Sequence, residues 1–404
     1  MSSNRLAIEF AGLQFKNPFL LSSAPPAMDA RHILRAARLG WGGAVIKTVT
    51  EEPTVDPRTR LGALRMGDKL IGMNNIELLS RKPLTTWTED WIPKIKAEAP
   101  ADFVLVASIM SSPEPEGWTS LAETLSQTGV DAIEINVSCP HGSPEKHMGA
   151  FIGQDPTLVE QVTRAAKKGT DLPLFVKLTP NVTDIVPIAQ AAVKGGADAL
   201  SAINTIESLI GIDVETATPL PIAYGMNRKE QLSTYGGFCG PAVRPAGLRV
   251  VSQIAKAFPD TPISGIGGID SWTSAVEYLM VGARTLQICT AVMWHGFSII
   301  RTITDGMTEF MDRKGYKTLE ELVGLALPKI TTWTALSKLP PVVAKVINEK
   351  CTGCKDCVIA CADGGYVAIQ MRDGVAVINP EKCDGCGLCA VVCDSEAIEF
   401  IHTK

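Results

Sequence analysis

The chain has 404 residues, of which 46% are hydrophobic, so it is long enough for one large domain and a second, smaller one. Its net charge of -5 argues against a nucleic-acid or anionic-membrane partner. No apolar run is long enough to span a bilayer, and the first residues lack the apolar core of a signal peptide, so we expect a cytoplasmic protein.

Short β-rich runs alternate with helical patterns through the first three quarters of the chain. The predicted strands are 18–22, 43–47, 103–109, 131–137, 174–178, 199–203, 262–266 and 285–289. The predicted helices between them include 30–39, 121–128, 157–168, 185–194 and 244–257. Alternating β/α units of this number predict a (β/α)8 TIM barrel, with a doubly wound open sheet as the alternative.

Polar side chains follow the predicted strands at their carboxyl ends, where TIM-barrel enzymes place their active sites. Lys47 and Lys177 end two different strands, and a lysine in an apolar strand is costly without an anionic partner. For either lysine alone, a surface side chain is the alternative. The strand at 131–137 leads into Asn136, Ser138 and Cys139. Cys139 is therefore a candidate nucleophile, a candidate acid, or only a small buried residue.

A glycine-rich turn at 265–270 follows a predicted strand and precedes a predicted helix. Backbone N–H groups in such a turn can bind a phosphate, and the loops after the last two barrel strands are the usual phosphate site of the fold. A tight turn without a ligand is the alternative. The turn is not a dinucleotide-binding fingerprint, because position 270 is Asp rather than Gly.

Two long excursions interrupt the alternating pattern, and long loops in a compact domain tend to be functional. The first, 48–81, contains Asn75 and Glu77, although these residues by themselves favour an ordinary solvated helix start. The second, 205–244, contains Tyr235-Gly236-Gly237. After the barrel come closing helices and a proline-containing stretch. We expect a barrel domain at 1–325, a linker at 326–345 and a small α+β domain at 346–404.

Eight of the 11 cysteines lie in the last domain, in two runs with the same spacing. The runs are Cys351, Cys354, Cys357 and Cys361, and then Cys383, Cys386, Cys389 and Cys393. This is the two-cluster ferredoxin pattern, in which the fourth cysteine of each run ligates the other cluster. We therefore expect two [4Fe–4S] clusters in a ferredoxin-like domain. Zinc is the alternative, but structural zinc sites use four ligands in two pairs.

Iron–sulfur clusters pass single electrons, whereas most organic substrates accept a hydride. A flavin converts between the two, so the cysteine array implies a flavin in the barrel. FMN, with one phosphate, suits the glycine turn. One of the two lysines would lie near the flavin ring and stabilise its reduced form.

Several motifs resemble those of one enzyme family. They are Asn75-Ile76-Glu77, the run 136–142 with His141 and Gly142, Lys177-Leu178-Thr179, Asn204-Thr205, Tyr235-Gly236-Gly237 and Gly267-Gly268-Ile269-Asp270. The chain resembles the pyrimidine-reducing half of dihydropyrimidine dehydrogenase, and most of all the FMN and iron–sulfur subunit of the bacterial two-subunit enzyme. The resemblance covers essentially the whole chain. The barrel is similar more broadly to dihydroorotate dehydrogenases.

The resemblance implies a role for each matching residue. Cys139 would be the general acid. The pyrimidine would be bound by Asn75, Glu77, Asn136, Ser138, Asn204 and Thr205. FMN would be bound by Ser23, Lys47, Thr48, Lys177, Gly240, Gly267, Gly268 and Thr290. The family often has serine at position 239, where this chain has Cys239.

The implied reaction is reduction of the 5,6 double bond of uracil or thymine, with a hydride delivered to C6 and a proton to C5. Carboxamides suit a ring with donors and acceptors on its edges, and a thiol is neutral near pH 7, as a general acid must be. Electrons would come from NAD(P)H through a partner subunit that carries FAD. A homodimer of this chain within a heterotetramer is implied as well.

Two alternatives remain open. A dihydroorotate dehydrogenase-like or other cyclic-amide flavin oxidoreductase would share every cofactor residue and would differ in the residues that contact the ring. A non-catalytic electron-transfer subunit with a vestigial barrel would have no need of Lys47, Lys177, Asn136 and Cys139.

Overall fold

A computed structural model of the chain describes residues 5–140, 144–224 and 231–402. The chain divides into two compact units, Met1–Pro328 and Lys329–Lys404. Among the described residues, no helix is both long and apolar enough to cross a membrane.

The strands, in chain order, are β1 (Ile8–Phe10), β2 (Leu13–Phe15), β3 (Phe19–Leu21), β4 (Gly43–Val45), β5 (Leu61–Met66), β6 (Lys69–Asn75), β7 (Val104–Ile109), β8 (Ala132–Asn136), β9 (Leu174–Lys177), β10 (Ala199–Ala202), β11 (Ile206–Ser208), β12 (Ile212–Asp213), β13 (Thr218–Pro219), β14 (Ala223–Tyr224), β15 (Gln231–Leu232), β16 (Gly236–Cys239), β17 (Ile263–Ile266), β18 (Ala283–Ile288), β19 (Val342–Val346), β20 (Ile369–Arg372), β21 (Val375–Ile378) and β22 (Ile398–His402).

The α-helices are α1 (Ala30–Arg38), α2 (Ile92–Glu98), α3 (Pro115–Ser126), α4 (Ala150–Gly153), α5 (Pro156–Lys168), α6 (Val186–Gly195), α7 (Arg244–Ala257), α8 (Trp272–Met280), α9 (Thr290–His295), α10 (Ile299–Lys314), α11 (Trp333–Leu336), α12 (Asp356–Asp363) and α13 (Leu388–Val391). Thr86–Trp91 forms a π-helix.

A closed barrel of parallel strands forms the first unit, in the order β10-β17-β18-β3-β4-β7-β8-β9 within the described part of the chain. Each of these strands overlaps one of the predicted runs, so the TIM-barrel prediction is confirmed. The strands read as nearly continuous apolar runs because both of their faces are covered, as in other parallel sheets. Strands β3, β4, β7, β8 and β9 are buried along their whole length.

Local sequence signals mark the start of several helices. Asp155 accepts hydrogen bonds from the backbone N–H groups of Thr157 and Leu158, and Pro156 occupies the first turn of α5. Helix α3 begins at Pro115, earlier than the predicted start at residue 121, because a proline in the first turn is compatible with a helix. Trp118 on this added turn is fully buried.

The two excursions pair with each other in a four-stranded antiparallel sheet of order β11-β16-β6-β5, as far as the chain is described. In this sheet Gly237 lies opposite Asn75 and Cys239 lies opposite Met73. The helix start favoured for 72–77 is therefore wrong: the segment ends strand β6, and its partner strand comes from about 160 residues later in the chain. Glu77 just beyond β6 is buried rather than solvated.

The second unit contains two antiparallel strand pairs, β19 with β22 and β20 with β21, together with α12 and α13. Its small core includes Ala344, Ile369 and Ala376 beside two of the cysteines. The segment 326–345, which we expected to be a linker, contains α11 and most of β19, and β19 belongs to the second unit through its pairing with β22. This unit is the predicted ferredoxin-like α+β domain.

Candidate functional site

A cavity of about 1080 Å³, which includes space open to solvent, lies at the carboxyl ends of the barrel strands. Its lining includes residues of β8, β9, β17 and β18, residues just beyond β3, β4 and β10, and residues from both excursions. It brings together the predicted site residues Ser23, Lys47, Thr48, Asn75, Glu77, Asn136, Cys139, Lys177, Asn204, Thr205, Gly240, Gly267, Gly268 and Thr290. Ser138 does not line the cavity, but it contacts two residues that do.

A hydrogen-bonded set of amides and hydroxyls forms one part of the lining. The Ser138 hydroxyl donates to Asn136 Oδ1 at 2.8 Å, and Asn204 Nδ2 donates to the Ser138 hydroxyl at 2.8 Å. Asn136 Nδ2 donates to Thr48 Oγ1 at 3.1 Å. Thr48 Oγ1 is also 2.8 Å from the Ser23 hydroxyl. Ser138 thus fixes the orientation of the Asn136 and Asn204 carboxamides at the cavity wall, where they can contact a ligand.

Asn75 approaches the cavity from the antiparallel sheet. Its Nδ2 donates to the carbonyl oxygen of Gly237, the residue opposite it, at 2.9 Å. A Cβ at position 237 would collide with the Thr205 side chain and would lie 3.3 Å from Asn75 Nδ2. Glycine at this position is therefore required for Asn75 and Thr205 to reach the same side of the cavity.

Lys47 lies two residues beyond the end of β4 and is mostly buried. Its Nζ lies 3.8 Å from Glu77 Oε1, and Arg60 Nε lies 3.7 Å from the same oxygen. Asp56, buried behind them, faces Arg60 and Arg81 at 3.8 and 3.6 Å. The sequence prediction that Lys47 needs an anionic partner is met by Glu77, from the first excursion.

Lys177 also has a carboxylate neighbour. Its Nζ lies 3.8 Å from Oε1 of Glu134, a side chain with no exposed surface. The other oxygen, Oε2, accepts hydrogen bonds from the Ser201 hydroxyl and from Gln287 Nε2, both at 2.7 Å. We did not predict Glu134 or Gln287 as site residues. The period-two alternation of β8 would have indicated that Glu134 shares the inward face with Asn136.

Cys139 is 6% exposed and lines the cavity just beyond β8. Its carbonyl oxygen accepts a hydrogen bond from the backbone N–H of Ala150 at 3.0 Å. A Cβ at position 149 would lie 2.6 Å from that carbonyl oxygen, so Gly149, with φ of 59°, is needed for this close approach. His141 and Gly142, which belong to the motif at 136–142, lie outside the described residues.

The glycine turn packs closely against the second excursion. Gly267 and Gly268 have φ of 123° and 70°, and a Cβ at 268 would lie 2.7 Å from the Gly240 carbonyl oxygen. Side chains are thus excluded where the turn meets the second excursion. Ser271 caps α8 directly after the turn, with its hydroxyl accepting from the Ser274 backbone N–H.

Two further thiols line the cavity, and both are poor acids. The Cys239 thiol donates to the Met73 carbonyl oxygen at 3.2 Å. Burial raises the pKa of Cys239 to about 11, against the lowering effect of hydrogen bonds to Thr290 and Asn75. Burial also raises the pKa of Cys289. Both side chains are neutral thiols at physiological pH.

The eight cysteines of the second unit surround two smaller cavities, of about 340 and 380 Å³. The first is lined by Cys351, Cys354, Cys357 and Cys393. The second is lined by Cys361, Cys383, Cys386 and Cys389. Each cavity thus takes three thiols from one run and the fourth from the other.

The arrangement fits clusters better than single ions. Among the described residues, no three cysteine, histidine or carboxylate side chains converge closely enough to hold one metal ion, as zinc would require. Backbone N–H groups of Ala344, Ala368 and Ala397 donate to Cys383, Cys361 and Cys393 Sγ at 3.4, 3.3 and 3.2 Å. Hydrogen bonds of this kind stabilise the thiolate charge that cluster ligation needs.

Comparison with known proteins matches both units. Residues 5–311 match the dihydroorotate dehydrogenase family, and residues 344–400 match the 4Fe-4S dicluster domain family. The chain is 38% identical, over 92% of its length, to the NAD-dependent dihydropyrimidine dehydrogenase subunit PreA of Escherichia coli K12, and 89% of that protein is covered. It is 38% identical over 82% of its length to the chloroplastic dihydropyrimidine dehydrogenase (NADP(+)) of Arabidopsis thaliana, 79% of which is covered.

The barrel also matches dihydroorotate dehydrogenases. The catalytic subunit of dihydroorotate dehydrogenase B (NAD(+)) from Pyrococcus abyssi is 39% identical over 80% of this chain and is covered over 99% of its own length. A crystal structure of DHODH from Eimeria tenella in complex with ferulenol superposes with a TM-score of 0.65. The match covers 80% of this chain and 89% of the Eimeria tenella chain. At 20% identity it supports the fold alone.

These matches confirm the expected family and the two-part architecture. The chain is a flavin and iron–sulfur oxidoreductase that belongs to the dihydroorotate dehydrogenase family and, within it, to the dihydropyrimidine dehydrogenases of which the bacterial PreA subunit is a member.

Proposed function

We propose that this chain reduces the 5,6 double bond of uracil or thymine. The observation that carries the proposal is the convergence of three carboxamides, from Asn75, Asn136 and Asn204, with the Cys139 thiol in one cavity that also holds two buried lysines. Carboxamides both donate and accept, so they can pair with the alternating N–H and C=O groups of a pyrimidine ring.

The cavity is chemically suited to a flavin. Lys47 and Lys177 supply positive charge, and the turn at Gly267 and Gly268 offers backbone N–H groups to a phosphate. FMN is the flavin that we propose, bound by Ser23, Lys47, Thr48, Lys177, Gly240, Gly267, Gly268 and Thr290. When bound, it supplies the hydride that the ring accepts at C6.

Cys139 completes the reduction by donating its proton to C5 from the opposite face of the ring. The thiol is left as a thiolate and recovers a proton from solvent, so one hydride and one proton are consumed in each turnover. Asn136, Asn204 and Asn75 hold the ring, and the Ser138 hydroxyl is bonded to the amides of Asn136 and Asn204. Glu77 and Thr205 complete the set of proposed ring contacts.

Electrons reach the barrel, in this proposal, through two [4Fe–4S] clusters. Cys351, Cys354, Cys357 and Cys393 ligate one, and Cys361, Cys383, Cys386 and Cys389 ligate the other; the two four-thiol cavities support this crosswise assignment. The PreA protein is named as a subunit of an NAD-dependent enzyme. We therefore propose a partner subunit that carries FAD and binds NAD(P)H, with two copies of this chain in a heterotetramer.

Oxidation of dihydroorotate is the second candidate, supported by the 39% identity to a dihydroorotate dehydrogenase B catalytic subunit. Orotate differs from uracil by a carboxylate. The matches to dihydropyrimidine dehydrogenases cover 92% and 82% of this chain, against 80% for the dihydroorotate dehydrogenase subunit. We therefore rank the neutral pyrimidines first.

One anaerobic experiment separates the candidates. The purified chain is reduced chemically, the excess reductant is removed, and uracil, thymine or orotate is added while flavin absorbance is followed. We expect uracil and thymine to reoxidise the flavin and orotate to leave it reduced. Reoxidation by orotate alone would favour the second candidate.

A further inference from the structure

A buried carboxylate lies beneath the proposed flavin site. Glu134 is fully buried in β8, two residues before Asn136 and on the same inward face. In the barrel register Asn136 lies opposite Lys177, and Lys177 lies opposite Ser201. Glu134 therefore lies one layer below a row of side chains that includes two proposed ligand contacts.

The two oxygens of Glu134 have different surroundings. Oε2 accepts hydrogen bonds from Ser201 and Gln287. Oε1 is buried and has no hydrogen-bond partner among the described residues, and it faces Lys177 Nζ at 3.8 Å. Gln287 in turn accepts from the Ser22 hydroxyl at 3.4 Å. The donors to Oε2 hold the carboxylate in place from the side away from Lys177.

The negative charge of Glu134 is not needed for its hydrogen bonds. A carboxylate taken out of water is costly unless it is paired, and a neutral glutamine in its place could still bond to Ser201. The negative charge is compensated by Lys177, and Lys177 lines the cavity. At 3.8 Å, in a site shielded from water, the Coulomb interaction between the two groups is much stronger than it would be at the surface.

We infer that Glu134 is a positioning residue that holds the Lys177 ammonium at the cavity wall and partly offsets its charge, and that it thereby lowers the reduction potential of the bound flavin. The inference rests on the proposed flavin site. A flavin gains negative charge on reduction, so a nearby cation favours the reduced state and a nearby anion opposes it. Glu134 limits how strongly Lys177 favours reduction, so that the flavin remains able to pass electrons on to the ring.

The test compares the flavin midpoint potential of the purified, cofactor-containing chain with that of its Glu134→Gln variant. Glutamine keeps the shape and the bond to Ser201 but removes the charge. We expect the equilibrium constant for two-electron reduction of the flavin to increase about tenfold. This corresponds to a rise of about 30 mV in the midpoint potential. An unchanged or lower potential would overturn the inference.

Two further variants make the result specific. Ser201→Ala removes one hydrogen bond and keeps the carboxylate, so it should not raise the potential; a rise equal to that of the glutamine variant would show that packing, not charge, is responsible. Glu134→Asp keeps the charge but withdraws it from Lys177. If the glutamine variant fails to fold, the aspartate variant takes its place. A rise in its flavin midpoint potential, smaller than the rise expected for glutamine, supports the inference, and an unchanged potential contradicts it.

The outcomes also separate this inference from the proposed function. A wild-type chain that purifies without flavin would overturn both. A chain whose reduced flavin is reoxidised by uracil, but whose potential does not respond to Glu134→Gln, would overturn the role of Glu134 alone.

Discussion

The Cys139 thiol lines the cavity just beyond the strand that carries Asn136. A thiol there can be a nucleophile or an acid, and its neighbours favour the acid. The amides of Asn136 and Asn204 in the same lining are held by hydrogen bonds, which suits them to bind a ring rather than to activate a thiolate. Cys239 and Cys289 line the same cavity, and burial raises the pKa of each, so neither competes as a proton donor.

Replacement of Cys139 by alanine should therefore abolish proton donation without removing a cofactor. We expect flavin and iron–sulfur absorbance to be retained and uracil to bind with similar affinity. Turnover should fall by roughly the 10²–10⁴-fold that a lost general acid costs. The rate of flavin reoxidation by uracil measures this effect. Unimpaired reoxidation would mean that Cys139 is only a small buried residue.

At the scale of elements, the decisive feature is the sheet that joins the two excursions. Strand β16 supplies the carbonyl of Gly237 to Asn75, and β6 ends two residues before Glu77. The proposed ring-binding residues therefore come from the barrel on one side and from this sheet on the other. A substitution that disturbs the sheet should weaken substrate binding before it affects the barrel.

Gly237→Ala tests this dependence. Its Cβ would collide with the Thr205 side chain, and overpacking of this kind costs on the order of 1–3 kcal/mol. We expect the dissociation constant for uracil to rise about tenfold or more, measured by the perturbation of flavin absorbance. The control is Gly211→Ala in the same excursion, where a Cβ would meet only Leu220 Cδ1 at 3.9 Å. Equal, wild-type-like affinity in both variants would contradict the role of the sheet.

At the scale of the whole molecule, the chain contains sites for a flavin and for iron–sulfur clusters, but its sequence has no nucleotide-binding fingerprint for NAD(P)H. The glycine turn belongs to a barrel strand and lacks the third glycine of such a fingerprint. The relative PreA is named as a subunit, which agrees with a second chain that handles the nicotinamide.

The purified chain should therefore fail to oxidise NADH with uracil as acceptor. It should reduce uracil when an artificial one-electron donor replaces the partner. Both rates can be measured on one preparation, by NADH absorbance and by product formation. Direct NADH–uracil turnover by the chain alone would contradict the need for a separate nicotinamide-binding subunit.

The sequence by itself determined the barrel strands, the two lysines at strand exits and the paired cysteine runs. Each of these signals is local, because a buried strand, its terminal residue and a ligand spacing are all readable within a short window. The observed ends of the barrel strands differ from the predicted ends by at most a few residues. All of the predicted barrel-site residues except Ser138 line one cavity.

Only the tertiary structure decided which anions face the lysines. Glu77 looked like a solvated helix start because its partner strand, β16, is far away in the chain. Glu134 lies in an otherwise apolar strand, and its contacts, Lys177, Ser201 and Gln287, lie on three other strands. Side chains that meet across a closed barrel are neighbours in space and not in sequence, so their pairing follows from strand order and register, which a single sequence does not display.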